Sequence, residues 1–418
     1  MVTTLRHYVP AMAGSRDVNS LIYDCRKALE TRSRLQLVLS QTQGIFPNGA
    51  VPMAVALQYF QRRGLQVITS EVSAEVARTH FLDPRSATRA ELQGSPVKNI
   101  VWRYHEDREA IALCNAFIEQ LQENVICGNG VLDALNWCLF EVMDNVFQHS
   151  HAEHGYAMIQ IHHQSKWCAV AVADDGIGIY NSFREGNVHN ARDEYEALML
   201  AVQEKVTSKT KNMGNGLFGL MRVVGLNGGQ LEIRSGRGRL KYEKQKLSGD
   251  HRQSLPVLEP NDHRGTTVDW QLDVSKEVSL AKALGSPQAN LRLEAIEDTD
   301  GEHRVKVADF EDGLGTRRSA EQARIRLLNY LSEGAPRLIL DFKGVNVVSS
   351  SFADEVLGKL ALQMGFVQFV NHFRLDNMSD TVEAIVNRAI QQRIAEGDIG
   401  LPGSARKLAS GDQPTRRN

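Results

Sequence analysis

Residues 169–179 read AVAVADDGIGI. An unbroken apolar run that ends in Asp174 reads as a buried strand, and the Gly-Ile-Gly after the two aspartates stops it. A carboxylate at the end of such a strand can accept a hydrogen bond from an exocyclic amine. Glycines in alternation, here Gly176 and Gly178, let the backbone approach a flat ring or a phosphate without a Cβ clash. Taken alone, the same residues also describe an ordinary Asp-Gly turn.

On the N-terminal side lies FEVMDNVFQHS, Phe140 to Ser150, inside a helix expected over Val131 to His149. On a helical wheel Leu135, Cys138, Leu139, Val142 and Val146 form the core stripe, while Glu141 and Asn145, four residues apart, share its flank. A carboxamide oxygen there suits Mg²⁺, and a carboxylate suits orienting or deprotonating a nucleophile. A solvated flank has the same spacing. On the C-terminal side, GNGLFGL places Gly214 and Gly216 just before a helix, where free N–H groups and the helix dipole favour phosphate.

In this order, on a helix, a strand end and a helix start, the three segments resemble the GHKL ATPase superfamily over about residues 100 to 275. Gyrase, the heat-shock chaperone ATPase, mismatch-repair ATPases, histidine kinases and anti-sigma-factor kinases belong to it. Its ExxxN motif is matched by Glu141 and Asn145, its DxGxG by Asp174, Gly176 and Gly178, and its GxGLxGL lid end by Gly214, Gly216, Leu217, Gly219 and Leu220. The terminal Gly-Thr is matched by Gly265 and Thr266.

The resemblance implies an ATP site in which Asn145 holds Mg²⁺, Glu141 activates the attacking group, Asp174 reads the adenine amine, the lid glycines bind phosphate and Thr266 supports the adenine side. Two departures stand out. The usual Asn after the motif aspartate is Asp175, which puts two carboxylates side by side. The lid segment VTSKTKNM is long and basic, so that Lys209 and Lys211 either reach a γ-phosphate or stay solvated.

The chain of 418 residues is long enough for two to four domains. The expected fold class is α+β, with a central GHKL (Bergerat) sandwich flanked by two small STAS-like α/β modules. The expected boundaries are about 1–90, 100–275 and 276–395, with a disordered tail over 396–418. The first and third segments each read as an apolar strand, a loop with a hydrophobic pair and a small-residue helix start, a weak internal duplication. The third, through LILDFKGVNVVSSSFADEVLGKL, resembles the STAS-like domain of unknown function found with GHKL ATPases. In STAS antagonists a serine at the corresponding helix start is phosphorylated by a GHKL-type kinase. The aligned candidate is Ser350; the alternative is that Ser350 or Ser351 simply caps the helix.

A hydrophobic fraction of 42% and a net charge of −2 indicate a globular chain without a global basic field for nucleic acid. No apolar run reaches the length of a membrane span and the N-terminus lacks a signal-peptide core, so the expectation is a cytoplasmic protein with no membrane or nucleic-acid partner. Five scattered cysteines without CxxC spacing read as reduced thiols. His149, His151, His154, His162 and His163 lack the paired spacing of a zinc site. The functional expectation is an ATP- and Mg²⁺-dependent regulator whose nucleotide state switches partner binding by the STAS-like modules, with a homodimer as one possible assembly. The alternatives are a serine kinase acting on a STAS-like partner or on Ser350, and a sensor without turnover.

Overall fold

The computed structural model describes residues 3–187, 190–203, 206, 216–251, 258–259, 264–285, 291–310, 314 and 316–399. The fold is α+β, as expected, and the chain forms two compact units, Met1–Gln288 and Ala289–Asn418.

The first unit begins with β1 (Thr4–Tyr8), β2 (Ala11–Met12), α1 (Ser15–Glu30), β3 (Arg34–Val38), β4 (Gln43–Ile45), α2 (Pro47–Arg62) and β5 (Val67–Ser70). Strands β1, β3 and β5 make a parallel sheet in that order. Then come α3 (Ala74–Arg78), β6 (Arg85–Ser86), α4 (Arg89–Gln93), β7 (Trp102–Tyr104), α5 (Asp107–Asn124), α6 (Val131–Asn145), β8 (Gly155–His162) and β9 (Trp167–Asp174). The unit continues with α7 (Gly178–Gly186), α8 (Glu194–Ala201), α9 (Gly216–Asn227), β10 (Gln230–Ser235), β11 (Gly238–Glu243), β12 (Lys246–His251), β13 (Thr266–Asp273) and α10 (Leu280–Leu284). Eight strands form one sheet, ordered β12-β11-β10-β13-β9-β8-β7-β6.

This large sheet is apolar on both faces, and strand periodicity sorts its side chains. Along β9, Cys168, Val170 and Val172 join the core beneath α5, α6 and α9, whereas Ala171 and Ala173 join a second core with α1 and α2. Helix α2 is buried almost all round, from Ala50 to Leu57 without a break. An element hydrophobic on every side must lie inside. The N-terminal segment expected as a module of about 1–90 therefore shares its core with the large sheet: Leu35 and Leu37 of β3 lie in one cluster with Tyr156, Met158 and Ala173.

Several readings change. The stretch from Ser70 to Lys98, which leads up to the expected boundary near 90–100, carries α3, α4 and edge strand β6, and buries Val76, Phe81 and Ala87. The polar stretch after Tyr180 holds most of α7 and all of α8, and the charged stretch that begins at Gly236 forms the β11–β12 hairpin.

The second unit contains α11 (Leu291–Glu294), β14 (His303–Lys306), α12 (Arg317–Ser332), β15 (Leu338–Asp341), α13 (Ser350–Ala353), α14 (Lys359–Met364), α15 (Phe366–His372), β16 (Phe373–Asp376) and α16 (Asp380–Ile399). Its sheet, β14-β15-β16, is parallel throughout. The order and sense match β1-β3-β5, so the two segments with similar sequence grammar also share a three-strand β-α-β-α-β plan. Of the tail expected from 396, residues 400–418 lie outside the described residues; α16 extends to Ile399.

Candidate nucleotide site

Helix α6 does not stop at Asn145. It widens into a π-helical turn over Val146–Ser150, a distortion frequent at functional sites. The turn leaves the Ser150 carbonyl free to accept from the Ile177 N–H at 2.7 Å. The loop after β9 is thereby tied to the end of the ExxxN helix. A Cβ at Gly176 would lie 2.1 Å from that carbonyl oxygen, inside any tolerable contact, so only glycine fits. Gly176→Ala is expected to lose several kcal/mol of stability and show a markedly lower Tm in thermal unfolding; an unchanged Tm would contradict this packing.

Asp174 is 6% exposed, and its Oδ1 accepts from the Gly176 N–H at 2.8 Å. Burial, reinforced by the adjacent Asp175 charge, pushes its pKa up to about 7 against the pull of that N–H. Thr266 faces Asp174 across the β13–β9 ladder. The Thr266 and Ser235 hydroxyls are 3.1 Å apart, and Ser235 Oγ accepts from the Ile179 N–H at 2.8 Å. Gly265, at φ +92°, donates its N–H to the Gly176 carbonyl at 2.8 Å, and Gly178 adopts φ +80°. Both are conformations that favour glycine. The ends of β9, β10 and β13 and the Gly176–Gly178 loop thus form one hydrogen-bonded floor around a single buried carboxylate.

The second half of the site stands at the start of α9. A Cβ on Gly216 would lie 2.9 Å from Glu141 Oε2 and 3.6 Å from Asn145 Nδ2. The structure therefore brings Glu141, Asn145 and Gly216 together, and leaves the space of a missing side chain beside a carboxylate and a carboxamide. Burial, with the Asp144 charge, raises the Glu141 carboxyl above the usual range. This set fits a phosphate-bound Mg²⁺: an amide oxygen and a carboxylate are hard ligands, and glycine N–H groups suit the phosphates.

Residues 130–276 match the family described as histidine kinase-, DNA gyrase B-, and HSP90-like ATPase, and residues 319–383 match a STAS-like domain of unknown function. The chain carries a GHKL ATPase domain fused to a STAS-like domain. Among curated proteins the chain has no match.

A GHKL ATPase domain binds nucleotide, and the matched span contains every residue of the site described above. Within the lid end, the GHKL domain uses its glycines unequally. A Cβ on Gly219 would meet the Trp137 ring at 2.2 Å, so this glycine lets α9 pack closely on α6. Leu217 packs against the core and Leu220 is buried in it. Lys209, Lys211 and Gly214 lie outside the described residues.

Sequence reasoning missed the partners of the motif residues. Asp175, standing where Asn is usual, pairs with Arg62 at the end of α2. No local signal links residues 113 positions apart. Ser150 and Ser235 were likewise invisible, as they act through a carbonyl and a hydroxyl that any serine offers. Among the histidines, the His154 ring lies 6.1 Å from that of His105 and 6.4 Å from that of Tyr156. Among the described residues no group of three His, Cys, Asp or Glu side chains is arranged to hold a metal ion, and no helix is long and apolar enough to cross a membrane.

In the STAS-like domain, the cap expected at Ser350 or Ser351 belongs to Ser349, whose Oγ accepts from the Phe352 N–H at 3.0 Å. Ser350 is the first helical residue and is exposed.

Proposed function

We propose that the protein is a Mg²⁺-ATP-dependent regulatory switch, in which ATP binding and turnover in the GHKL domain control how its α/β modules engage a protein partner. The observation that supports this most is the convergence of Glu141, Asn145 and Gly216 on one spot, with Asp174 buried on the adjoining floor. Asp174 would accept from the adenine amine, with Thr266 beside it. Asn145 would hold Mg²⁺, which when bound supplies charge neutralisation for the phosphates. The N–H groups at the start of α9 would receive a phosphate, and Glu141 would take a proton from the attacking water.

The Arg62–Asp175 pair supports a link between nucleotide and N-terminal module. The cation comes from α2, whose other residues fill the core shared with β3, and the anion follows the adenine-reading Asp174 directly. A change at the floor is thereby felt at the end of α2.

A second reading is favoured by Ser350. It is exposed at the first helical position, while its neighbour Ser349 is engaged as cap. A phosphate placed there would gain from free amides and the helix dipole. Incubation of the purified chain with γ-labelled ATP and Mg²⁺ separates the two. Free phosphate without label on the chain is expected for the switch. Label on the chain that disappears in Ser350→Ala would replace it with a self-phosphorylating kinase, and the absence of both products would leave a sensor without turnover.

A further inference from the structure

A cavity of about 340 Å³ lies against the Gly236–Gly238 turn, at the ends of β10, β11 and β13 and beside α1 and α2. Its volume is in the range of small-ligand sites, about 300–1,000 Å³. It is on the other side of the sheet from Glu141 and Asn145. In β10, Leu231 and Ile233 join the core under α6 and α9, so Arg234, next in alternation, points the opposite way.

The lining is strongly cationic: Arg16, Arg234, Arg237, Arg239 and Arg264 all contribute. Glu232 offsets part of this charge, with ion pairs of 3.4 Å to Arg234 and 2.7 Å to Arg239, and Asp269 faces Glu232 on the neighbouring strand. Arg16 and Arg237 stand outside these pairs. Among the described residues, the buried Nε of Arg237 has no hydrogen-bond partner. Arg16 has no side-chain hydrogen bond or ion pair among the described residues. A buried guanidinium N–H without an acceptor is costly, and several guanidinium groups around one space form the usual setting for phosphate oxygens. Opposite the arginines, Ile22, Pro52, Val55 and Leu258 supply an apolar wall. Asp174, Gly265 and Thr266 also border the cavity, so its end wall is the floor of the candidate nucleotide site.

We propose that this cavity is a second ligand site, for a small organic molecule carrying two or more phosphate groups, held by Arg16 and Arg237 with Arg239 and packed on the apolar wall. Its size and partial enclosure suit a small molecule better than a phosphorylated protein segment. A ligand there adjoins the strand ends that carry Asp174 and Thr266. The site itself does not depend on the assignment of ATP to the other face.

Inorganic pyrophosphate is the probe. Calorimetric titration is carried out on the full chain, on the chain saturated with a non-hydrolysable ATP analogue, and on Asn145→Ala, which impairs the other site. Pyrophosphate is expected to bind all three with affinities within about threefold. In the double variant Arg16→Ala, Arg237→Ala its affinity falls by about tenfold or more, the scale of losing charge-assisted hydrogen bonds. Arg237→Lys recovers part of the loss, and the circular dichroism of both variants matches wild type. Unchanged affinity in the arginine variants, competition by the analogue, or binding of a phosphoserine peptide but not of pyrophosphate would each overturn the proposal.

Discussion

Asp174→Asn is expected to weaken nucleotide binding by about a hundredfold or more and, at the same time, to make the empty protein more stable above neutral pH. The carboxyl is buried at the end of β9 and titrates near 7 in the folded chain, against an ordinary value of 3.8. The folded state therefore holds a proton that the unfolded state has already released between those pH values. The contribution of this group to stability is greatest below about 4 and declines as pH rises to 7, then stays at its low value. Asparagine removes the charge that burial penalises while keeping an oxygen for the Gly176 N–H. Thermal unfolding at pH 8 should show the variant more stable by roughly 1–4 kcal/mol, and at pH 4 little different.

Nucleotide binding runs in the other direction. An exocyclic amine needs an acceptor, and the ionised carboxylate is the better one, so ATP affinity in wild type should be about tenfold weaker at pH 6 than at pH 8 as Asp174 takes up its proton. In Asp174→Asn the affinity should fall by about a hundredfold or more, since a donor now faces a donor. Equilibrium titration with a fluorescent ATP analogue measures both. A variant that binds as well as wild type would remove Asp174 from adenine recognition and leave its burial as a purely structural cost.

Glu141→Gln is expected to separate binding from turnover. The side chain lies against the first residue of α9, where Gly216 leaves room for a phosphate group, and its raised pKa places its proton affinity closer to that of a working general base. The amide keeps the volume and cannot take a proton. Turnover should drop by about 10²–10⁴-fold, the usual yield of general-base catalysis, with ATP affinity held within about threefold. In wild type, turnover should decline on the acid side at a higher pH than an ordinary carboxylate would dictate, and that limb should vanish in the variant. Equal loss of affinity and rate would instead make Glu141 a structural support of the α6–α9 contact.

The readings that succeeded were those whose physics is local. Glu141 and Asn145 share a helix face because they are four residues apart, Asp174 ends a strand because an apolar run ends there, and Gly216 opens an apolar helix. Each can be read from a window of a dozen residues. Together, in order, they indicated a GHKL domain, and LILDFKGVNVVSSSFADEVLGKL indicated a STAS-like segment; the family matches show both. The β11–β12 hairpin was lost, because its charged and polar side chains carry no apolar alternation that a short window can read.

What only the tertiary structure decided is what the local motifs touch. That Gly176 must be glycine follows from a carbonyl 26 residues away, on Ser150. That Asp175 is balanced follows from Arg62, and the N-terminal segment shares a core with the large sheet because α2 is apolar on every side and two sheets are needed to cover it. Five arginines spread from Arg16 to Arg264 become one cavity only when α1 meets the ends of β10, β11 and β13. Periodicity and spacing act within an element, so the sequence by itself determined that Glu141 and Asn145 lie one turn apart on a helix, that Asp174 ends a buried strand and that an apolar helix starts near Gly216. The partners of those residues depend on contacts between distant segments, and chain folding alone creates those.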